Sequence, residues 1–178
     1  MPGTGTALDP WYGESLSQNV YYGKKAVAKY EELYKVKLTK PQRRITEIEG
    51  FVNGYYKDYK GGLTYGIGQT GEYIQKGFIE GFKDKLNKVE TIFGNVERLG
   101  EGLSSELIQL AYRGDVKASH DWVSKFNTGD YTGAAAELLN HKEYQKLKSE
   151  GTINSITKRL EVASTVIGQY SPTYETGE

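Results

Sequence analysis

Residues 51–70 break the helical spacing that governs the rest of this chain. Phe51, Tyr55, Tyr56, Tyr59, Leu63, Tyr65 and Ile67 are interrupted there by Gly54, Gly61, Gly62, Gly66 and Gly68. Aromatic and β-branched side chains suit a pleated strand, whereas each glycine would weaken a helix by about 1 kcal/mol. The spacing predicts a small antiparallel sheet with Lys60-Gly61-Gly62 as its hairpin turn. No second stretch of this kind follows. The expected fold class is α+β, mostly helical, with one small sheet early in the chain.

On either side, apolar residues recur at helical intervals. Leu16, Val20, Val27, Tyr30 and Tyr34 share one face of an expected helix from about Glu14 to Tyr34, with Lys24, Lys25, Glu31 and Glu32 as its solvated side. Residues 1–11 read as a mobile leader. Thr39 and Gln42 make a capping box around Pro41, Ile45 and Ile48 supply a buried side, and Gly50 is placed to stop that helix. Helical spacing returns from Tyr73 to Phe93, with breaks near Gly77 and Gly81, and again from Leu103 to Tyr112. Trp122–Phe126, Asp130–Leu139 and a last helix striped by Ile153, Ile156, Leu160, Ala163 and Ile167 follow, ended by Gly168. Three regions are expected: an N-terminal extension over 1–38, a main domain over 39–170 and a polar tail over 171–178.

Composition removes several functions. The 23 basic and 23 acidic residues cancel, which argues against a dedicated nucleic-acid binder. Without cysteine there is no disulfide, thiol nucleophile or thiolate-bound zinc. His120 and His141 form no closely spaced pair, so no metal site is expected, and both read as surface or partly buried polar residues. No apolar run approaches the roughly 18 residues that cross a bilayer. The first residues lack the basic start and apolar core of a secretory signal. With 37% hydrophobic residues and 15 Tyr, the chain is globular rather than disordered.

The chemistry concentrates on Glu49, Asp58 and Thr64. Glu49 falls in the last turn of its expected helix, the negative pole of the dipole, which disfavours an ionised carboxyl. A carboxyl kept in its acid form is what a general acid requires. Asp58, beside Lys57 and Lys60 on a polar sheet, is expected to stay ionised, and Thr64 offers a hydroxyl that can hold a water. Two carboxyls in unlike surroundings are the minimum for glycoside hydrolysis. Gly66 and Gly68 would let backbone approach a bulky substrate closely. The same glycines complete a dinucleotide fingerprint, Gly66-Ile67-Gly68-Gln69-Thr70-Gly71, but that site needs a parallel βαβ unit and no further apolar strands follow.

The run from Glu49 to Gln69 resembles the active-site segment of the phage-type lysozymes, glycoside hydrolase family 24. Those muramidases carry a Glu, eight intervening residues, an Asp, five more, a Thr and then Gly-x-Gly. Glu49, Asp58, Thr64, Gly66 and Gly68 match without a gap. Lys125–Leu139, with Gly129-Asp130-Tyr131 ahead of Ala134 and Ala135, is similar to a second helix of the family. Leu110–Gly114 and Thr157–Glu161 resemble its cleft-lining helix end and its Arg-rich last helix. The likeness covers about residues 39–168, and residues 1–38 have no counterpart in the minimal family domain.

The resemblance implies a lysozyme-like fold with a sheet lobe and a helical lobe. It implies an endo-acting muramidase that hydrolyses the β-1,4 bond from N-acetylmuramic acid to N-acetylglucosamine in bacterial peptidoglycan, with inversion. Glu49 would protonate the leaving oxygen, Asp58 and Thr64 would handle the attacking water, and Gly68, Gln69, Tyr112 and Arg113 would lie against substrate. No metal or cofactor is implied, and the partners expected are glycan strands, with no nucleic acid and no membrane span. Reaching the wall would then require a holin, a virion or a secretion machine. Two other readings stay open: a non-catalytic wall-binding or virion module of the same fold, and a delivered antibacterial effector whose residues 1–38 dock on a carrier. The chain departs from the family at Gln69, commonly His there, which calls for neutral hydrogen bonds in place of an ion pair. It departs again at Ile156, where the last helix usually brings an Arg; Lys158 and Arg159 stand just beyond.

Overall fold

The computed structural model describes residues 20–57, 62–153 and 155–172. Its elements begin with β1 (Val20–Tyr21), α1 (Gly23–Tyr34), α2 (Lys40–Glu49), β2 (Phe51–Lys57), β3 (Leu63–Gly66) and β4 (Gln69–Thr70). The helices α3 (Tyr73–Lys76), α4 (Phe78–Phe93), α5 (Val96–Leu99) and α6 (Glu101–Arg113) follow. The last four are α7 (Asp121–Asn127), α8 (Tyr131–Leu138), α9 (Lys142–Ser149) and α10 (Ser155–Gly168). The chain is mostly helical with one four-stranded antiparallel sheet, an α+β protein. It divides into two compact units within α4, the first ending at Lys88 and the second beginning at Val89.

In the first unit the sheet order follows the chain, β1-β2-β3-β4. Val52 pairs with Val20 on one side and Gly66 on the other; further along, Tyr55 faces Tyr65 and Tyr56 faces Thr64. The register slips between Val52 and Tyr55. Val20, Val52 and Tyr56 pack together in the core. Tyr30 of α1 meets the rings of Phe51 and Phe78 edge-on at 5.4 and 5.6 Å.

The helix expected from Glu14 begins only at Gly23 in the structure, while Leu16 lies outside the described residues. Gly23 takes a left-handed φ of 54°, and just before it Val20 and Tyr21 pair with β2 rather than continuing a helical face. A β-branched and an aromatic residue gain more from that ladder than from one more turn. The segment from Val20 to Leu38 is therefore built into the first unit. Its link to α2 is drawn back by the Leu38 N–H, which donates to Glu31 Oε2 at 2.7 Å. The expected capping box is present: Thr39 Oγ1 accepts from the Gln42 N–H, and Gln42 Oε1 accepts from the Thr39 N–H. Gly77 breaks the helical run as expected, but Gly81 does not; it sits inside α4, where the Tyr73 ring would be 3.4 Å from an added Cβ. Close packing explains this glycine better than chain reversal.

The second unit is a helical cluster. Leu107, Leu110, Ala134, Leu138, Leu160, Ala163 and Ile167 of α6, α8 and α10 are buried. Gly168 brings α10 close to α8, since a Cβ there would stand 3.2 Å from that of Ala135. Ser164 Oγ adds a hydrogen bond to the Ala135 carbonyl at 2.9 Å. Asp130 caps α8 as expected, accepting from the Gly133 N–H at 2.8 Å. Ile153, placed by its spacing in the last helix, lies ahead of α10 and is exposed. α9 had no signal in the sequence, because Tyr144 is its single buried residue. Among the described residues no helix is long and apolar enough to cross a membrane.

Candidate functional site

Glu49 is the last residue of α2, and Gly50 ends that helix with a φ of 72° while its N–H still donates to the Thr46 carbonyl. This stop turns the chain directly into β2 and leaves the Glu49 side chain 5% exposed at the junction. The carboxyl lies against the turn between β3 and β4, where a Cβ on residue 68 would come within 3.1 Å of Glu49 Oε2. Gly66 and Gly68 both take left-handed φ values, 63° and 62°, which β-carbon-bearing residues rarely adopt. The sequence leads one to expect a bulky substrate against these glycines, whereas the structure places side chains of the protein itself there. It is the protein's own carboxyl that approaches Gly68.

Gln69 clamps the same turn. Its Oε1 accepts from the Ile67 N–H at 3.1 Å and its Nε2 donates to the Tyr73 carbonyl at 3.1 Å. A Cβ on residue 66 would fall 2.5 Å from that Oε1, so a side chain there would displace the Gln69 amide as well as strain the backbone. Gln69 is buried, and these hydrogen bonds are neutral ones, as expected of it. Thr64 faces Tyr56 and Thr70 across the ladder and is buried. Its hydroxyl donates to the Gly62 carbonyl at 3.2 Å, which leaves the oxygen lone pairs to accept from another donor. Asp58 lies outside the described residues.

Glu49, Gly68 and Gln69 are thus brought together, with Thr64 on the strand that enters the turn. Tyr112 and Arg113 belong to the second unit, at the end of α6. The Arg113 guanidinium is engaged there: Nε donates to Asp115 Oδ2 at 2.8 Å and Nη2 to Glu143 Oε1 at 2.9 Å. Asp115 Oδ1 also meets His141 Nε2 at 2.9 Å, and its carbonyl accepts from Trp122 Nε1 at 3.2 Å. Burial pushes the Asp115 carboxyl up, but the His141 hydrogen bond and the Arg113 charge outweigh it and hold the carboxyl below its usual range. The same hydrogen bond, helped by the charge of Asp115, raises His141. Nothing in the sequence signals this cluster, whose members are spread over α6, the loop after it and α9. In the last helix Ile156 is buried, and Arg159 donates through Nε and Nη2 to Gln109 Oε1 at 3.1 and 3.0 Å.

The fingerprint glycines of residues 66–71 lie in an antiparallel hairpin, and among the described residues no parallel strand pair accompanies them. Compared with family models, with curated proteins and with solved structures, the chain matches none.

Proposed function

We propose that this protein is a peptidoglycan-cleaving glycoside hydrolase, a muramidase, with Glu49 as its general acid. The observation that carries the proposal is the seating of a buried carboxyl, at a helix end, against the glycine turn at Gly68. A general acid has to be held in a fixed place beside the bond it protonates, and burial of Glu49 against the turn supplies that placement. In its acid form Glu49 gives its proton to the glycosidic oxygen as the bond to the anomeric carbon breaks. Thr64 orients a water, Asp58 takes one of its protons, and the water oxygen bonds to the anomeric carbon from the opposite face. The spacing of Glu49, Asp58 and Thr64 supports these roles, as does the likeness of that segment to the phage-type lysozymes.

The test is a turbidity assay on bacteria with permeabilised outer membranes, run with the parent and Glu49→Gln. Lysis by the parent and essentially none by the variant is expected, with identical circular dichroism. Lysis by folded Glu49→Gln at the parent's rate would remove the assignment. Mass spectrometry of the released muropeptides should show ordinary reducing ends; chiefly anhydro ends would mean a transglycosylase without an attacking water. Thr64→Val keeps the volume and should lower kcat with little change in KM.

A further inference from the structure

On the sheet face opposite Thr64 the first unit has a cavity of about 370 Å3, within the range of small-molecule sites. Successive side chains of a strand point to opposite faces, so Tyr65 lies on the other side of β3 from its neighbour Thr64. The burial agrees: Thr64 is buried and Tyr65 partly open. Tyr55, the cross-strand partner of Tyr65, packs against it edge-on at 4.9 Å and is 59% exposed. From the opposite wall α1 contributes Tyr30 and Tyr34, stacked at 4.4 Å, and the hydroxyls of Tyr34 and Tyr65 lie 3.4 Å apart. Gln69 and Gln75 complete the polar part of the lining.

The chemistry of this lining is narrow. Among the described residues it holds no Asp, Glu, Lys or Arg, so a phosphate, carboxylate or ammonium would meet no counter-charge from them. A lipid chain would leave the hydroxyls and amides unpaired. Aromatic faces beside neutral groups that both donate and accept suit a ring carrying C–H bonds on its faces and hydroxyls at its edge. Gln69 uses one N–H and one lone pair on the turn and keeps one of each. Burial pushes the Tyr30 phenol up to about 12 and raises Tyr34 as well, so both stay neutral donors. A proline-rich peptide would use the rings, and its carbonyls would accept from the hydroxyls and amide N–H groups, but it offers no proline N–H to the amide oxygens.

We infer that the tyrosine cavity between α1 and the β2–β3 face is an accessory binding site for neutral sugar rings of the N-acetylhexosamine class. The choice of sugar rests on the muramidase reading of Glu49; the site itself does not depend on hydrolysis. Because α1 supplies one wall, the site is made by the segment that precedes the likeness to the lysozymes.

Triacetylchitotriose, titrated by calorimetry and NMR into the full chain carrying Glu49→Gln, tests this without turnover of the ligand. Binding in the millimolar range is expected, with shifts centred on Tyr55, Tyr65 and Gln75. Adding Tyr55→Ala, at an exposed position, should weaken binding about tenfold, and Tyr34→Phe should weaken it severalfold through the lost hydroxyl. Equal affinity in the presence and absence of Tyr55→Ala and Tyr34→Ala would overturn the inference. So would absence of binding up to about 20 mM, or binding of a proline-rich decapeptide in preference to the sugar. The two readings fail separately. Lysis that survives Glu49→Gln removes the catalytic one and leaves a Tyr55-dependent sugar site standing, whereas Glu49-dependent lysis with Tyr55-independent sugar binding removes this one alone.

Discussion

Glu49 and Gly68 come so close that a Cβ on residue 68 would stand 3.1 Å from Glu49 Oε2, in a backbone conformation that already disfavours one. Gly71 supplies the control, with a φ of 55° and nothing within 4 Å of an added Cβ. Gly71→Ala should therefore cost about 1–2 kcal/mol of stability from backbone strain alone and leave lysis intact. Gly68→Ala should cost at least as much and also displace the carboxyl, lowering kcat about a hundredfold. Urea denaturation beside the turbidity assay separates the two effects. Equal activity loss in both variants would mean that the Glu49 contact has no functional weight.

The Asp115 cluster makes stability depend on pH in a defined window. His141 is raised in the folded state, so its contribution is full below its unfolded value of about 6.5 and fades as pH rises through the folded value above that. Asp115 is lowered, so its contribution is full above about 4 and is lost as pH falls through its depressed value. Charging His141 forfeits the cap in which Nδ1 accepts from the Glu143 N–H at 3.2 Å, but it strengthens the 2.9 Å bond to Asp115. The melting temperature should fall between pH 6 and pH 9, and His141→Gln should start lower and flatten that slope. A slope unchanged by the substitution would place the titrating group elsewhere.

Tyr30 and Tyr34 sit one helical turn apart on α1 and should differ sharply on truncation. Tyr30 is 5% exposed among Phe51 and Phe78, and its loss should cost about 3–5 kcal/mol. Tyr34 is 43% exposed, and Tyr34→Ala should cost about 1 kcal/mol or less. Deleting residues 1–38 removes Tyr30 together with β1 and the buried Leu38, so the shortened chain should lose most of the stability of the first unit. Equal midpoints for the full and shortened chains in urea would show that α1 packs on something other than its own unit.

The parts of the fold that were legible in the sequence are those fixed by local chemistry. The capping box at Thr39, the stop at Gly50 and the glycine-broken sheet each depend on residues a few positions apart. Val20 and Tyr21 were misread because two residues are too few to show a period of two, and Val20 also fits the helical stripe. α9 escaped because seven of its eight residues face water or its edge, and a helix without an apolar stripe has no period to detect. In the candidate site, spacing singled out Glu49 and Gly68 but not that the carboxyl fills the place of a side chain at residue 68. Asp115, His141 and Glu143 meet only through tertiary packing, which no spacing encodes. The cavity tyrosines were each visible as aromatic residues, and their common face was set by the bulged register of β2.

The pairing of Val20 with Val52 also has a consequence for the order of assembly. β2, β3 and β4 form a meander of near neighbours that can zip locally, whereas β1 must wait until α1 and α2 have closed the loop between it and β2. The two-residue edge strand thus joins late and opens early, and changes there act on the rate of unfolding more than on the rate of folding. A pull applied at Val20, as from a tether to a carrier, loads this pair directly. It would peel β1 from the sheet before strain arrives at the glycine turn that seats Glu49.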